Sequence, residues 1–340
     1  MSLPPSEVPQ GAIRFNTDSQ RLEFYAQDQW WVMSTDTPNL AQSGEATPGA
    51  RGLTGGGYEG PATTAEIMFW NIASLSNGED FGDLTESRGY TAGVSSRTRA
   101  VFGGGHPAVD TIDFVTIAST GNATAFGELA DGDRYHMGTA SNQTRGIYAG
   151  GENPSDVDII EYLTIASTGD SIDFGNLSSN RESPGGVNSS TRAVFMGGFL
   201  SPSVTNTIQF VTISTTGDAQ DFGDLPQATG GNPAGSNAVR GLCGGGSSGP
   251  ADVNIIDFVN IATLGNAVRF GDLTVARRYG GCATSPTRCT WVGGIDGSSS
   301  SNVMDYVEIA TEGNAVDFGD LNNVLNPGTG AGCSNAHGGL

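Results

Sequence analysis

The sequence predicts an all-β protein: a six-bladed β-propeller with four-stranded blades, preceded by a small N-terminal β-meander. Two landmarks predict this fold, because each occurs six times with nearly the same spacing. A phenylalanine recurs at steps of 45, 48, 48, 48 and 48 residues, and an arginine before an apolar stretch recurs at steps of 48, 46, 47, 48 and 48. A period near this length is typical of propeller blades. The landmarks are Phe81, Phe126, Phe174, Phe222, Phe270 and Phe318, and Arg51, Arg99, Arg145, Arg192, Arg240 and Arg288.

Each repeat reads as four short strands, and the second repeat illustrates them. Residues 89–96 form a strand of small residues, and residues 99–105 form a second strand that ends in glycines. Residues 111–118, rich in β-branched and aromatic side chains, form the third strand. The turn STGN leads to a fourth strand at residues 123–129, and its Gly-Asn pair suits the positive φ that a tight hairpin needs.

The side-chain pattern of these strands favours a radial arrangement. The third strand is apolar on both faces, with Ile112 and Phe114 on one and Val115 and Ile117 on the other. A sheet with one face in water would alternate more regularly, so we expect each sheet to lie between two similar sheets. The first strand carries small side chains, which suit crowding around a central axis.

The two ends of the repeat region predict how the ring closes. The first repeat begins at its second strand, near Arg51. Residues 334–340, SNAHGGL, are similar to SNAVRGL at 236–242, which spans a first strand and the start of a second. We therefore expect the C-terminal strand to complete the first blade, so that residues 50–340 form one closed propeller without an open edge.

The repeat resembles the kelch family in its period, its double glycine and an arginine after the fourth strand. The matching glycines are Gly104-Gly105, Gly150-Gly151, Gly197-Gly198 and Gly293-Gly294, and the matching arginines are Arg88, Arg134, Arg181 and Arg277. The sequence departs from the family in carrying Phe where kelch repeats usually have Trp, and Gln227-Ala228 where an arginine is expected. The resemblance implies a fold and leaves the function open.

The repeated charges predict local ion pairs. Asp83, Glu128 and Asp272 precede Arg88, Arg134 and Arg277, respectively, by five or six residues. We expect these residues to pair locally across the turns between blades or to bond exposed carbonyl groups, and each partly exposed pair to stabilise by at most ~1 kcal/mol.

Residues 1–36 predict a separate attachment or oligomerisation module. Strands are expected at GAIRFN, RLEFYA and QWWVM, with turns at residues 17–20 and 27–28, and residues 37–49 read as a linker. A meander this small cannot bury its own large side chains, so we expect it to dock or to oligomerise. The candidate contact residues are Ile13, Phe15, Phe24, Tyr25, Trp30 and Trp31. The pattern G-x-I-R-F-N-T, then L-E-x-Y, then W resembles an N-terminal module of bacteriophage tail-fibre and other virion proteins, which implies particle attachment.

The bulk composition argues against several partners. The formal charge is −21, and all fifteen basic residues are arginines. Such a chain repels nucleic acid and anionic membranes, and no apolar run is long enough to span a bilayer. The four cysteines form no CxxC pair, and Cys282 and Cys289, which are expected to be half-buried thiols, flank a hairpin turn.

Catalytic signals are weak in this sequence. Its three histidines, His106, His136 and His337, have no dedicated carboxylate partner, and the kelch-type copper oxidases carry a Tyr–Cys pair and two histidine ligands that we do not find here. We therefore expect no enzyme, no cofactor and no metal site.

The remaining candidates for function are the loops between second and third strands, which differ from repeat to repeat. The candidate recognition residues are Tyr58, Glu59, His106, Glu152, Asn153, Phe199, Leu200 and Asp296. The leading hypothesis is a bacteriophage virion structural protein, present in several copies, whose expected partners are other virion proteins and a glycan or protein of the host surface. The alternatives are a carbohydrate-binding receptor-recognition propeller and a kelch-type metal oxidase.

Overall fold

The computed structural model describes residues 8–9, 11–16, 21–26, 29–32 and 50–340, and all regular elements among them are β-strands. The chain divides into two compact units, Met1–Thr47 and Pro48–Leu340. The first unit contains one antiparallel sheet of three strands, Ile13–Asn16 (β1), Arg21–Ala26 (β2) and Gln29–Val32 (β3). The predicted turns at 17–20 and 27–28 and the predicted linker at 37–49 lie outside the described residues. Within the described ranges, no helix has the length and hydropathy to cross a membrane.

The second unit contains six antiparallel sheets of four strands, one for each sequence repeat, numbered here from 1 to 6. From first to fourth strand they are Gly332–Ser334 (β31), Arg51–Glu59 (β4), Ala62–Asn71 (β5) and Glu79–Asp83 (β6) in sheet 1; Ala92–Ser95 (β7), Arg99–Gly103 (β8), Thr111–Thr116 (β9) and Thr124–Glu128 (β10) in sheet 2; Gly138–Ser141 (β11), Arg145–Ala149 (β12), Ile159–Thr164 (β13) and Ile172–Asn176 (β14) in sheet 3; Gly185–Asn188 (β15), Arg192–Met196 (β16), Thr207–Thr212 (β19) and Gln220–Asp224 (β20) in sheet 4; Ala234–Ser236 (β21), Arg240–Gly244 (β22), Ile255–Asn260 (β23) and Val268–Asp272 (β24) in sheet 5; and Gly281–Thr284 (β25), Arg288–Val292 (β26), Val303–Glu308 (β29) and Val316–Asp320 (β30) in sheet 6. Two short hairpins follow the second strands of sheets 4 and 6, namely Phe199–Leu200 (β17) with Ser203–Val204 (β18), and Ile295–Asp296 (β27) with Ser299–Ser300 (β28).

The last strand of the chain completes the first sheet, as the repeat alignment predicts. Cys333 in β31 lies opposite Leu53 in β4. The first strands of the six sheets contact one another in the cyclic order β7, β11, β15, β21, β25, β31 and back to β7. Their small residues permit this approach: a Cβ on Gly138 would lie 2.7 Å from Pro184 at the neighbouring first strand.

We call the interface between consecutive sheets a seam. In seam 1–2, the STGN turn of sheet 2 is bonded to the fourth strand of sheet 1, where Gly121 N donates to Phe81 O over 2.7 Å. The landmark arginines act across the seams as well, since Arg99 Nη1 of sheet 2 donates to Ile165 O of sheet 3 over 3.2 Å. Six apolar clusters fill these interfaces, each drawn from consecutive sheets. Both sequence landmarks therefore mark residues at the seams.

The second set of arginines is buried, and the predicted local ion pairs are wrong. Arg88 is fully buried and bonds Asp113, on the third strand of sheet 2, over 2.9 Å instead of Asp83. The same geometry pairs Arg134 with Glu161 at 2.5 Å. In the same way, Arg277 pairs with Asp305 at 2.9 Å instead of with Asp272. Glu128, like Asp83, is exposed, because the ends of the fourth strands face solvent.

The other three seams carry different residues at these two positions. Seam 3–4 has Arg181 with Gln209, seam 4–5 has Thr229 with Asp257, and seam 6–1 has Leu325 with Met68. All six side chains are buried. Burial lowers the pKa of Arg181 to about 10 and raises that of Asp257 to about 6, although nearby Arg269 opposes the rise.

The four cysteines are more deeply buried than the sequence suggested. Cys282 and Cys289 lie on adjacent strands with their Sγ atoms 3.4 Å apart, as unbonded thiols. Burial raises the pKa values of the Cys243 and Cys333 thiols to about 12, so all four side chains behave as core residues.

Candidate functional site: an aromatic and acidic mouth

Isolated bridges at or just beyond the ends of the second strands pair twelve positions, one pair for each sheet. We call these positions the mouth. The bridged pairs are Tyr58 with Asn326, Gly89 with His106, Tyr135 with Glu152, Glu182 with Phe199, Gly230 with Ser247, and Arg278 with Ile295. Because every sheet contributes one pair, residues far apart in the sequence meet here.

The double glycines make this arrangement possible. Gly104 and Gly105 both have positive φ, at 61° and 137°. A Cβ on Gly104 would lie 2.8 Å from the Met137 Cε atom and closer still to the Arg134 carbonyl oxygen. With glycine there, Gly105 N donates to Arg134 O over 2.9 Å. The glycines thus let the backbone of the next sheet pack against the end of the second strand.

A second set of residues, one step further along the chain, lies at the centre of the mouth. Tyr90, His136, Ser183 and Tyr279 are left-handed at φ values of 54°, 59°, 51° and 58°. Gly231 occupies the corresponding position in sheet 5, with φ of 68°. Side chains are rare in this region of φ, so their presence at four positions is consistent with a role for the side chains themselves.

These central side chains form one cluster. The rings of Tyr90 and His136 stack with centroids 4.0 Å apart, and the ring of Tyr279 lies 4.9 Å from that of His136. Ser183 Oγ and His136 Nδ1 are hydrogen-bonded at 3.0 Å. Burial, assisted by the charge of His106, lowers the pKa of His136 to about 3, so this imidazole is neutral under physiological conditions.

Aromatic side chains continue outward from this centre. Tyr58 hydrogen-bonds His106 through its hydroxyl and lies 4.9 Å from the Tyr90 ring. His106 meets Tyr135 edge-to-face at 5.3 Å. On the other side, the rings of Phe199 and Tyr279 are 6.0 Å apart. The result is a continuous set of half-buried rings.

Carboxyl groups adjoin the rings on the side of sheets 3 and 4. Glu182 is hydrogen-bonded to Glu152, and burial together with this neighbour raises the pKa of Glu182 to about 8. Burial and Glu152 also raise the pKa of Tyr135 to about 12. The Glu182 carboxyl therefore favours its protonated form more than a solvated glutamate does. Beside the two glutamates, an open groove of about 490 Å³ is lined by Glu152, Pro154, Ser155, Asp156, Asn180, Leu200 and Ser201.

The structure brings together five of the eight residues predicted for recognition. Tyr58, His106, Glu152 and Phe199 belong to the mouth, and Leu200 lines the adjoining groove. Asn153, Glu59 and Asp296 are exposed and line neither feature.

Sequence reasoning missed Tyr90, Tyr135, Glu182, Arg278 and Tyr279. The sequence does contain a signal for them, because each lies one or two residues after one of the buried arginines Arg88, Arg134, Arg181 and Arg277.

The predicted attachment residues of the first unit divide between the two faces of its sheet. Ile13, Phe24 and Trp31 lie opposite one another in register. They and Phe15 share one face, with exposed fractions of 63% for Ile13, 58% for Phe15, 37% for Phe24 and 43% for Trp31.

Tyr25 and Trp30 lie on the other face of this sheet and are buried and half-buried, respectively. There Arg14 lies 4.1 Å from the Trp30 ring and pairs with Glu23 at 2.8 Å. Among the described residues of this unit, the large apolar side chains on the first face are therefore the more exposed ones.

The histidines do not converge with other ligands. His337 is buried at the opposite end of the first strands, where it bonds Asn188 over 2.9 Å and Ser141 over 3.1 Å. Among the described residues, no three His, Cys, Asp or Glu side chains are placed to hold a metal ion. No protein-family model matches this chain, and none of the curated proteins matches it at a significant level.

Proposed function

We propose that residues 50–340 form a closed six-bladed β-propeller of the kelch type. The contacts between sheets 6 and 1 support closure, because they repeat those of the other seams. Gly78 N of sheet 1 donates to Asp320 O of sheet 6 over 2.9 Å, and Arg288 Nη1 of sheet 6 donates to Ile72 O over 3.4 Å. The cyclic contacts of the first strands support it independently.

We propose further that the protein is a bacteriophage virion structural protein, attached through its N-terminal unit and presenting the propeller from a tail fibre, tail tip or head appendage. The exposed apolar face of Ile13, Phe15, Phe24 and Trp31 carries this proposal. A three-stranded sheet cannot cover such a face itself, and exposed apolar patches commonly mark protein contacts. In this role the protein acts without a cofactor, as a non-enzymatic component present in several copies.

Incorporation into particles tests the attachment. Deleting residues 1–36, or introducing Ile13→Asp with Phe15→Asp, is expected to remove the protein from purified particles. Leu264→Asp is the matched control, since Leu264 is equally exposed, at 58%, but belongs to the propeller unit. Particles that keep the Ile13/Phe15 variant at the wild-type level would contradict the proposed attachment.

The mouth favours a second candidate function, recognition of a surface carbohydrate. Aromatic rings beside carboxyl groups suit sugars, which offer apolar ring faces and hydroxyl donors. On a glycan array, wild-type protein is expected to bind a defined set, and Tyr135→Ala and Phe199→Ala to lose it. The exposed Val316→Ala serves as control. Normal incorporation into particles without any glycan binding would leave attachment intact and refute this candidate alone.

A further inference from the structure

Seam 4–5 keeps the buried acid of the other seams and lacks its arginine. Asp257 occupies the position of Asp113 and Asp305, but Thr229 stands at the position that Arg88 and Arg277 hold in their seams. It is only 5% exposed, and its Oδ1 atom has no hydrogen-bond partner among the described residues. A buried, unpaired carboxylate is costly unless a positive group or a proton compensates it.

The surroundings of Asp257 include the polar side chains of Cys243 and Asn232. Asp257 lies directly opposite Cys243 in register, and the Asn232 side chain hydrogen-bonds the Cys243 thiol. Asn232 is 1% exposed, and its Oδ1 atom also lacks a partner within the described part of the chain. Two buried oxygens with free lone pairs thus flank one thiol.

Backbone carbonyls complete this set. In seam 1–2, Arg88 donates to Thr111 O at 3.2 Å and Phe102 O at 3.3 Å. The residues at these positions in seam 4–5 are Ile255 and Cys243. Ile255 O accepts from Gly245 N at 2.8 Å, as Thr111 O accepts from Gly104 N, so its second lone pair is the one that arginine uses elsewhere.

Arg269, the arginine whose charge acts on Asp257 in the described part of the chain, does not take this place. Arg269 lies across the strand from Asp257, but its guanidinium is paired with Asp272, and its side chain is 46% exposed. Among the described residues, the Cys243 thiol is the other titratable group that interacts with the Asp257 carboxyl, and burial keeps it protonated by raising its pKa to about 12.

We propose that seam 4–5 is a binding site for a small monovalent cation, held by the Asp257 carboxylate with the Asn232 amide oxygen and the Ile255 and Cys243 carbonyl groups. Oxygen ligands suit hard cations, and a single carboxylate matches a single positive charge. The cation neutralises the buried acid of this seam, as the arginine guanidinium does in seams 1–2, 2–3 and 5–6.

Thermal unfolding tests this site. The full chain is unfolded at pH 8 in sodium, potassium, ammonium or choline chloride at one ionic strength, choline being too bulky to enter. At least one of the small cations is expected to raise the wild-type Tm by a few degrees, roughly 2–4 °C, relative to choline. Asp257→Asn removes the ligand and Thr229→Arg supplies an internal cation, so both variants are expected to lose the difference. Asp133→Asn, which removes an exposed acid between sheets 2 and 3, should keep it.

Two results would overturn the proposal. One is a wild-type Tm that is the same in all four salts, and the other is a cation effect that persists in Asp257→Asn. A measurement without variants is also decisive: crystals grown in rubidium chloride should show an anomalous peak beside the Asp257 carboxylate. Water alone at that position, in protein stable at pH 8, would mean that Asp257 is compensated by a proton instead.

Discussion

Seams 1–2 and 6–1 fill the same two buried positions with side chains of opposite character, charged in one and apolar in the other. Seam 1–2 buries an ion pair between Arg88 and Asp113, whereas seam 6–1 places Leu325 and Met68 at the same positions in one apolar cluster. Buried ion pairs gain little over well-packed apolar residues, because desolvation offsets the attraction. The comparison indicates that the two residues at these positions must be of compatible chemistry, either oppositely charged or both apolar, and that an ion pair is not required. Seams 3–4 and 4–5 each contain one member of the ion pair without the other: seam 3–4 has the arginine and lacks the acid, and seam 4–5 has the acid and lacks the arginine.

The largest expected effect comes from breaking a matched pair. Arg88→Leu leaves the Asp113 carboxylate buried without a cation, with Thr85 as its remaining hydrogen-bond donor, and is expected to cost about 3–5 kcal/mol of unfolding free energy. Arg88→Leu combined with Asp113→Met copies seam 6–1 and should recover most of that loss. Urea denaturation of both variants measures the difference. If the double variant is no more stable than the single one, matching is not what the seam requires.

A smaller gain is expected from completing seam 3–4. Gln209→Glu keeps the side-chain shape and gives the buried Arg181 a carboxylate, so we expect about 1 kcal/mol of added stability at pH 7. The control is Arg181→Leu with Gln209→Glu, in which the new carboxylate has no cation and should destabilise the protein. If Gln209→Glu and the double variant have equal stability in chemical denaturation, the side chain at residue 209 does not interact with Arg181.

The pH dependence of seam 4–5 should differ from that of the matched seams. Burial raises the pKa of Asp257 to about 6 from its usual value of 3.8. The folded state therefore binds this proton more tightly than the unfolded state, and stability is lost as pH rises from about 4 through about 6, with no further change above it. In choline buffer, wild type should lose stability relative to Asp257→Asn over this range. Parallel stability curves for the two proteins would exclude the raised pKa.

The smallest effect is expected at the landmark arginines, such as Arg99. Arg99 is half-buried, donates to Ile165 O and lies 4.7 Å from the Phe114 ring. Because water screens such contacts, Arg99→Gln should cost no more than about 1 kcal/mol. A loss as large as that of Arg88→Leu would mean that the outer contacts, and not the buried pairs, dominate the seams. The same denaturation series gives this comparison.

The repeat length, the strands and their sheets follow from the sequence, since local periodicity determines them. The partner of Arg88 did not, because Asp113 lies 25 residues away and the two meet only when the third strand turns that face toward the seam. The other residues of the strand around Asp113 are mostly apolar. Asp83, which is nearer in the sequence, was therefore predicted as the ion-pair partner of Arg88. Comparing the third strands would have helped, as Asp113, Glu161, Gln209, Asp257 and Asp305 occupy one position.

The mouth was predicted in part for a similar reason. Its loop residues Tyr58, His106 and Phe199 were evident as the variable part of each repeat. Tyr135 and Glu182 lie in the connections between repeats, and only the bridges to the second strands bring them to the same place.

Thiol crosslinking across seam 6–1 tests the closed ring most directly. Asn77 Oδ1 accepts from Asp320 N over 3.1 Å, and Asn122 Oδ1 accepts from Asp83 N over 3.2 Å in the equivalent place of seam 1–2. Asn77→Cys with Asp320→Cys is the test pair, and Asn122→Cys with Asp83→Cys is the control. The four native thiols are buried and should not react with a short bis-maleimide. A closed ring predicts intramolecular crosslinking of both pairs with similar yield. Crosslinking of the control pair alone would contradict closure.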